Sequence, residues 1–421
     1  MHLKHWLGAT LFAASTAIPA QASSQQPEAR QDSLAQIIQV LTARLDSLER
    51  MLDSLLSAGQ DTSQVVDEIT ALRAAARAIA PEQPPDTTPA QHVIRSRSLN
   101  RLNPEISVTG DVRLNARRPG PQENSFDLRE FAFGFQSALD PYSNAKIFFS
   151  FGEGHVGVEE AYAYWTGIPG GLRLDVGRFR QQAGELNRWH LHAMPESEYP
   201  LVIRRYFGDE GLRGDGLGLY WISPFASPGG GVHELWMQTA LANNVVLFEG
   251  GNRLSILGHL NNFWQLSTST YFQFGLTGMY GENPDSSLKT GMVGVDVRLT
   301  WRPPATALYR SFTIRGEGFA VRKRTAGAGD ATLGGYIGAT YQASRRIHLG
   351  GRFDYVELLE IPEQNEWAIV PQITWWQSEW VFLRAEWQHS STSNFTNGRD
   401  STDLFLIQVV WSIGPHKHWN Y

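Results

Sequence analysis

Acidic and basic side chains two residues apart recur along this chain: Asp111 and Arg113, Arg173 and Asp175, Asp296 and Arg298, Arg315 and Glu317, Arg352 and Asp354, Arg384 and Glu386. On a β-strand that spacing places both members on one face, about 6.6 Å apart, so each charge can meet its neighbour or an opposite charge on the next strand. A second concentration of charge lies between Ala183 and Asp215, where Arg188, Arg204, Arg205 and Arg213 stand beside Glu185, Glu196, Glu198, Asp209, Glu210 and Asp215. His190 and His192 face the same way on an extended segment, but two imidazoles without a third ligand make a weak metal site, and no metal is expected. No Gly-x-Ser-x-Gly, HExxH or phosphate-cradling glycine loop is present, so neither an enzyme nor a cofactor is expected. The chain has no cysteine, which excludes disulfides, thiolate metal sites and a thiol nucleophile.

The elements that carry these charges read as β-strands. Ile106, Val108, Val112, Leu114 and Ala116 share one face against Ser107, Thr109, Asp111, Arg113 and Asn115 on the other. Val293, Val295, Val297, Leu299 and Trp301 repeat the pattern against Asp296, Arg298 and Thr300. Similar alternation predicts strands at about 105–117, 126–139, 145–151, 158–166, 172–182, 216–223, 232–242, 253–264, 271–281, 290–302, 309–323, 334–343, 347–358, 366–376, 380–390 and 403–414. Sixteen is an even number. Connections alternate between short turns, such as Ser344-Arg345-Arg346, and longer polar loops, such as 324–333 and 391–402. Short turns on one rim and longer loops on the other predict a transmembrane antiparallel β-barrel. A soluble β-sandwich would explain neither the rim asymmetry nor the aromatic outer faces. Ala183 to Asp215 is then the third external loop, too long for an idle connection and too rich in aromatic residues for disorder.

The N-terminal quarter differs. Residues 1–22 carry a basic start at Lys4, an apolar core and Ala20-Gln21-Ala22, the pattern of a cleaved secretory signal. Residues 31–80 form the second region, where Leu34, Ile38, Leu41, Leu45, Leu48, Leu52 and Leu55 repeat at heptad spacing and predict a helical coiled coil. A helical hairpin folding at Gly59 is the alternative. Pro81, Pro84, Pro85 and Pro89 make residues 81–102 a stiff linker to a barrel spanning 103–421. The net charge of −6 gives no sign of a nucleic-acid partner.

From Leu102-Asn103-Pro104-Glu105-Ile106-Ser107-Val108 through Gly177-Arg178-Phe179-Arg180 to Ile413-Gly414-Pro415-His416, the chain resembles the phosphate-selective porin O and P family of sixteen-stranded outer-membrane channels. The resemblance implies a trimeric, water-filled pore in the outer membrane of a Gram-negative-type bacterium, with the third loop folded inward and arginines selecting anions. Membrane lipid and the barrel-assembly machinery would be its partners, and the helical extension would lie in the periplasm. The wall pairs depart from a pure arginine ladder, so the expectation is passive diffusion of small hydrophilic solutes or ions with weak selectivity. Within the loop, Arg188, His190, His192, Glu196, Glu198, Arg204 and Arg205 would sit at the constriction, while unpaired Glu130 and Lys146 add bias. Arg178 and Arg180 are expected on the outer face or supporting the loop. A sugar-type porin, a tether from the outer membrane to peptidoglycan and, more remotely, a barrel enzyme are the alternatives.

Overall fold

The structure, a computed structural model, describes residues 104–414 apart from 119–124, 153–154, 226–228, 286–287, 325–330, 362 and 395–397. The signal segment, the heptad region and the proline-rich linker lie outside the described residues.

Sixteen strands form at the expected places and close into one antiparallel barrel. They are β1 (Glu105–Arg118), β2 (Ser125–Ala138), β3 (Ser143–Gly152), β4 (His155–Ile168), β5 (Leu172–Arg180), β6 (Arg213–Ile222), β7 (Val232–Leu241), β8 (Leu254–Ser267), β9 (Thr270–Glu282), β10 (Lys289–Trp301), β11 (Ser311–Lys323), β12 (Thr332–Gln342), β13 (Ile347–Glu357), β14 (Asn365–Trp376), β15 (Val381–Asn394) and β16 (Gly398–Ile413). Each strand pairs with its sequence neighbours, and β1 closes onto β16 with Val108 opposite Ile413. Alternation dictates the two faces. Ile256, Val293, Ile337 and Ile407 are about half exposed on the outside, and aromatic residues gather at both strand ends, Tyr271, Trp301, Tyr341 and Trp375 at one rim and Tyr280, Tyr355 and Trp387 at the other. An apolar band between aromatic girdles is the surface of a barrel that faces lipid. One expected loop is smaller than predicted: β15 and β16 pair as far as Asn394 opposite Gly398, so the stretch 391–402 is mostly strand.

The long excursion between β5 and β6 turns inward and occupies the lumen. It contains two single 3₁₀ turns, at Leu186–Arg188 and Leu191–Ala193, and a short helix α1 (Leu201–Phe207). Pro200 opens α1, and Gly208 closes it at φ 93, a left-handed conformation that glycine adopts without a Cβ penalty. A second helix, α2 (Val245–Phe248), between β7 and β8 is capped by the Asn244 side chain, which accepts from the Leu247 amide at 2.8 Å.

Together α1, α2 and one sector of wall make a hydrophobic core inside the barrel. Val202, Ile203, Tyr206 and Phe207 pack with Leu247, Phe248, Leu257, Met279, Met292, Phe319, Val321, Val356, Ala368 and Val370. The uniformly polar inner face read from the sequence is therefore corrected: on β8 to β14 the loop-side end of the inner face is apolar. The reason is the loop itself, since each large apolar side chain buried there instead of facing lumen water stabilises the docked loop by roughly 1.5–3 kcal/mol. Gly334 makes the approach possible, because a Cβ there would lie 2.7 Å from the Val202 side chain.

Candidate pore and its loop

Register sorts the wall charges into tiers. Asp296 stands opposite Glu317, and Arg298 stands opposite Arg315. Through Tyr336 and Gly338 the same rows continue to Asp354 and Arg352 on β13. On β10, β11 and β13 the acids thus share one level, nearer the loop, and the arginines the next level toward the short-turn rim; on β1 the order is reversed, with Arg113 on the loop side of Asp111.

Those tiers bind the loop more than they bind each other. An irregular backbone buried in a barrel must find partners for its amides and carbonyls, and the acidic tier supplies acceptors. Glu317 accepts from the Leu186 amide at 2.7 Å, Asp354 from the Leu201 amide at 3.3 Å, and Glu386 from the Ser197 amide and hydroxyl. The basic tier supplies donors. Arg352 donates to the Glu198 carbonyl at 3.0 Å and lies 3.3 Å from the Glu196 carboxylate, Arg384 donates to the Met194 carbonyl at 2.8 Å, and Arg298 donates to Glu185. Arg113 reaches both the Ser197 carbonyl and the Glu198 carboxylate.

Direct pairing along one strand holds at 2.6 Å for Arg173 with Asp175 and at 2.8 Å for Arg352 with Asp354, and is looser, 3.5 Å, for Asp111 with Arg113. The other three expected pairs are corrected. Arg298 turns from Asp296 to Glu185, Arg315 lies 5.6 Å from the Trp189 ring while Glu317 takes the loop amide, and Arg384 leaves Glu386 for Thr374 and Gln408. In each case the loop offers a partner that the strand sequence cannot reveal.

Two bulges add charges that strict alternation hides. In β2 the pairing jumps so that Arg129 is the extra residue beside Glu130, and in β4 it jumps so that Glu159 is the extra residue beside Glu160. A bulge re-aims a side chain, and here both members of each doublet point inward. Arg129 donates to the Ser197 carbonyl at 2.8 Å and to Glu198 at 3.2 Å. Glu159 and Glu160 hold the two ring nitrogens of His190 at 2.8 and 3.1 Å. None of Arg129, Glu159 and Glu160 belongs to the expected site; the signal was two adjacent charged residues in a strand that should place only one inside.

His190 and His192 stack with ring centroids 5.6 Å apart, and among the described residues no group of side chains is arranged to hold a metal. Burial opposes charge on His190, but Glu159, with Glu160 on the other nitrogen, outweighs it and holds the pKa above the ordinary value. Burial, reinforced by the neighbouring His190 charge, pushes His192 down to about 3. Lys146, expected unpaired, meets Glu160 at 2.9 Å, and Glu130 lies 3.7 Å from the His192 ring. Arg180, expected outside or beneath the loop, is buried and donates to Glu159 at 2.6 Å and to the Tyr199 hydroxyl at 2.9 Å. Arg178 stays half exposed in a two-pronged pair with Asp215.

The remaining loop residues mark where space is left. Arg188 lies 4.6 Å from the Trp236 ring. Arg204 pairs with Asp209 and Arg205 with Glu366, and both line a cavity of about 520 Å³ with Arg113 and Glu198 on the loop side of the lumen. A second cavity of about 440 Å³ opens on the short-turn side, bounded by His192 to Pro195, Arg384, Trp376 and Phe382. The segment Met194 to Glu198 separates the two. Space through the barrel therefore lies toward β14–β16 with β1 and β2 on the loop side, beside the β8 to β14 sector that α1 and α2 cover, and toward β12–β16 on the short-turn side.

No family model matches the chain. A stretch of 103 residues is 34% identical to an uncharacterized protein of Aquifex aeolicus, covering 24% of this chain and 22% of that one, so the match spans about a fifth of that relative. The fold is similar to the anion-selective porin from Comamonas acidovorans, 10% identical with a TM-score of 0.53, covering 74% of this chain and 99% of that one. It is similar to Pseudomonas putida OprB at high pH, 9% identical with a TM-score of 0.52 over 77% of this chain and 97% of that one. The trimer form of OmpT from Vibrio cholerae is 9% identical, with a TM-score of 0.50 over 74% of this chain and 99% of that one. At such identity the likeness is one of fold, and the chain is a closed sixteen-stranded barrel of the porin kind.

Proposed function

We propose that the protein is an outer-membrane channel through which small hydrophilic solutes and ions diffuse passively, with weak ion selectivity. The observation that carries this reading is the pair of cavities on either side of Met194 to Glu198, inside a barrel whose outer face is apolar. Charge at a low-dielectric constriction sorts ions. Here three arginines at or beside the divide face carboxylates: Arg113 meets Glu198, Arg352 meets Glu196, and Arg205 meets Glu366. That balance favours weak selectivity over the strong anion preference of a phosphate-selective pore. The expected homotrimer, the periplasmic coiled coil and contact with peptidoglycan rest on the heptads and remain part of the proposal.

Planar-bilayer reversal potentials under a salt gradient test it, for the native chain and for Arg204→Ala with Arg205→Ala. Small potentials that move toward cation preference in the variant agree with the proposal. Strong anion selectivity with block by micromolar phosphate would restore the phosphate-selective reading, and absence of conductance would move the protein toward a tether.

A further inference from the structure

The short-turn cavity differs in chemistry from the loop-side one. Trp376 and Phe382 lie side by side on adjacent inward positions of β14 and β15, with ring centroids 4.8 Å apart. They form an apolar floor at the mouth of a lumen that is otherwise polar on this side. Just deeper stand Gln372 and Thr374, with His348 beside Thr374 on the neighbouring strand β13 and Thr340 on β12. The Thr340 hydroxyl and the His348 Nδ1 are sealed from solvent, so neither offers a contact to this space. Arg384 is the one arginine or lysine lining the cavity among the described residues. Its guanidinium already donates to Thr374, Gln408 and the Met194 carbonyl and lies 4.9 Å from the Phe382 ring.

An anion entering this cavity would have to compete with those bonds for Arg384. A purely apolar ligand would leave the polar lining of Gln372, Thr374 and Ser412 unmatched. The group that answers both features has an apolar face and a rim of hydroxyls, and a pyranose ring is such a group: its C–H face covers an aromatic ring while its hydroxyls reach amide and hydroxyl groups. A volume of about 440 Å³ is in the range of small-ligand sites and takes one or two such rings.

We propose that the cavity floored by Trp376 and Phe382 is a saccharide-binding subsite on the permeation path, with Gln372 and Thr374 reading the hydroxyls. This rests on the channel reading above and adds a substrate class to it. Current noise of the full chain in planar bilayers tests it, with maltotriose as the probe and benzoate as a planar anionic control. Maltotriose should interrupt the current in a saturable manner, Trp376→Ala should weaken that block roughly tenfold, and Trp376→Phe should retain most of it. Gln372→Ala should weaken the block as well. Intact conductance with no saccharide-dependent noise, or block by benzoate in place of maltotriose, would overturn the subsite while leaving the channel standing. Absence of any conductance would overturn both.

Discussion

Ser197 in the long loop gives both its backbone amide, at 2.9 Å, and its hydroxyl, at 2.6 Å, to the one carboxylate of Glu386 on β15. Glu386 therefore acts as a clamp on the segment that divides the lumen. Hydrogen bonds to a charged group contribute about 1.5–3 kcal/mol each. Glu386→Ala should release the segment and give a larger, noisier single-channel conductance, while heat-modifiable gel mobility reports an intact barrel. An unchanged conductance would show that the Ser197 clamp does not hold the divide.

Ile203 sits in the core between α1 and the wall and is fully buried. Ile203→Ala should cost about 2–5 kcal/mol of loop docking. Limited proteolysis within 185–212 reads that loss, since the strands are held by their own ladder and should stay protected. Equal loss of protection in loop and strands would mean that the loop is integral to barrel stability.

The two histidines give the loop opposite pH limits. His190 has its pKa raised in the folded loop, so its contribution is complete below about 6.5 and is lost as pH rises through the raised value. His192 is held down to about 3, so loop docking weakens as pH falls from about 6.5 toward 3, where the free histidine would take up a proton and the buried one does not. Protease protection of the loop should peak near pH 6.5. His190→Gln should remove the alkaline decline and His192→Gln the acid one. A flat profile between pH 4 and 9 would contradict this assignment.

Arg113 and Arg352 neutralise Glu198 and Glu196 at the divide. Arg113→Ala should leave Glu198 paired with Arg129 alone among the described residues and shift the reversal potential toward cations. Glu198→Gln should shift it toward anions. Shifts of the same sign in both variants would show that charge at this level does not set selectivity.

Strand positions were legible because lipid outside and polar surface inside enforce alternation, and β10 and β13 show it cleanly. That the long loop is ordered was legible from its length and its aromatic residues, and its inward fold was what the family resemblance implied. What it touches was not. Ala368 and Val370 point inward within the run Trp367 to Pro371, where apolar residues occupy both faces and alternation disappears. Arg129 and Glu159 point inward only because each is the extra residue of a bulge, a register property that emerges when β2 meets β1 and β4 meets β3. The charge pairs were found at the right positions, yet their partners depended on a segment distant in sequence, as with Arg298 and Glu185.

Because the chain has no cysteine, single cysteines can map the open path directly. Thiol-reactive modification during single-channel recording should reduce the current through Gln388→Cys in the loop-side cavity and Thr374→Cys in the short-turn cavity. It should leave unchanged the current through Val321→Cys in the core that α1 seals. Block at Val321→Cys, with none at the two cavity positions, would contradict a path displaced toward β12–β16 and, with it, the division of the lumen by Met194 to Glu198.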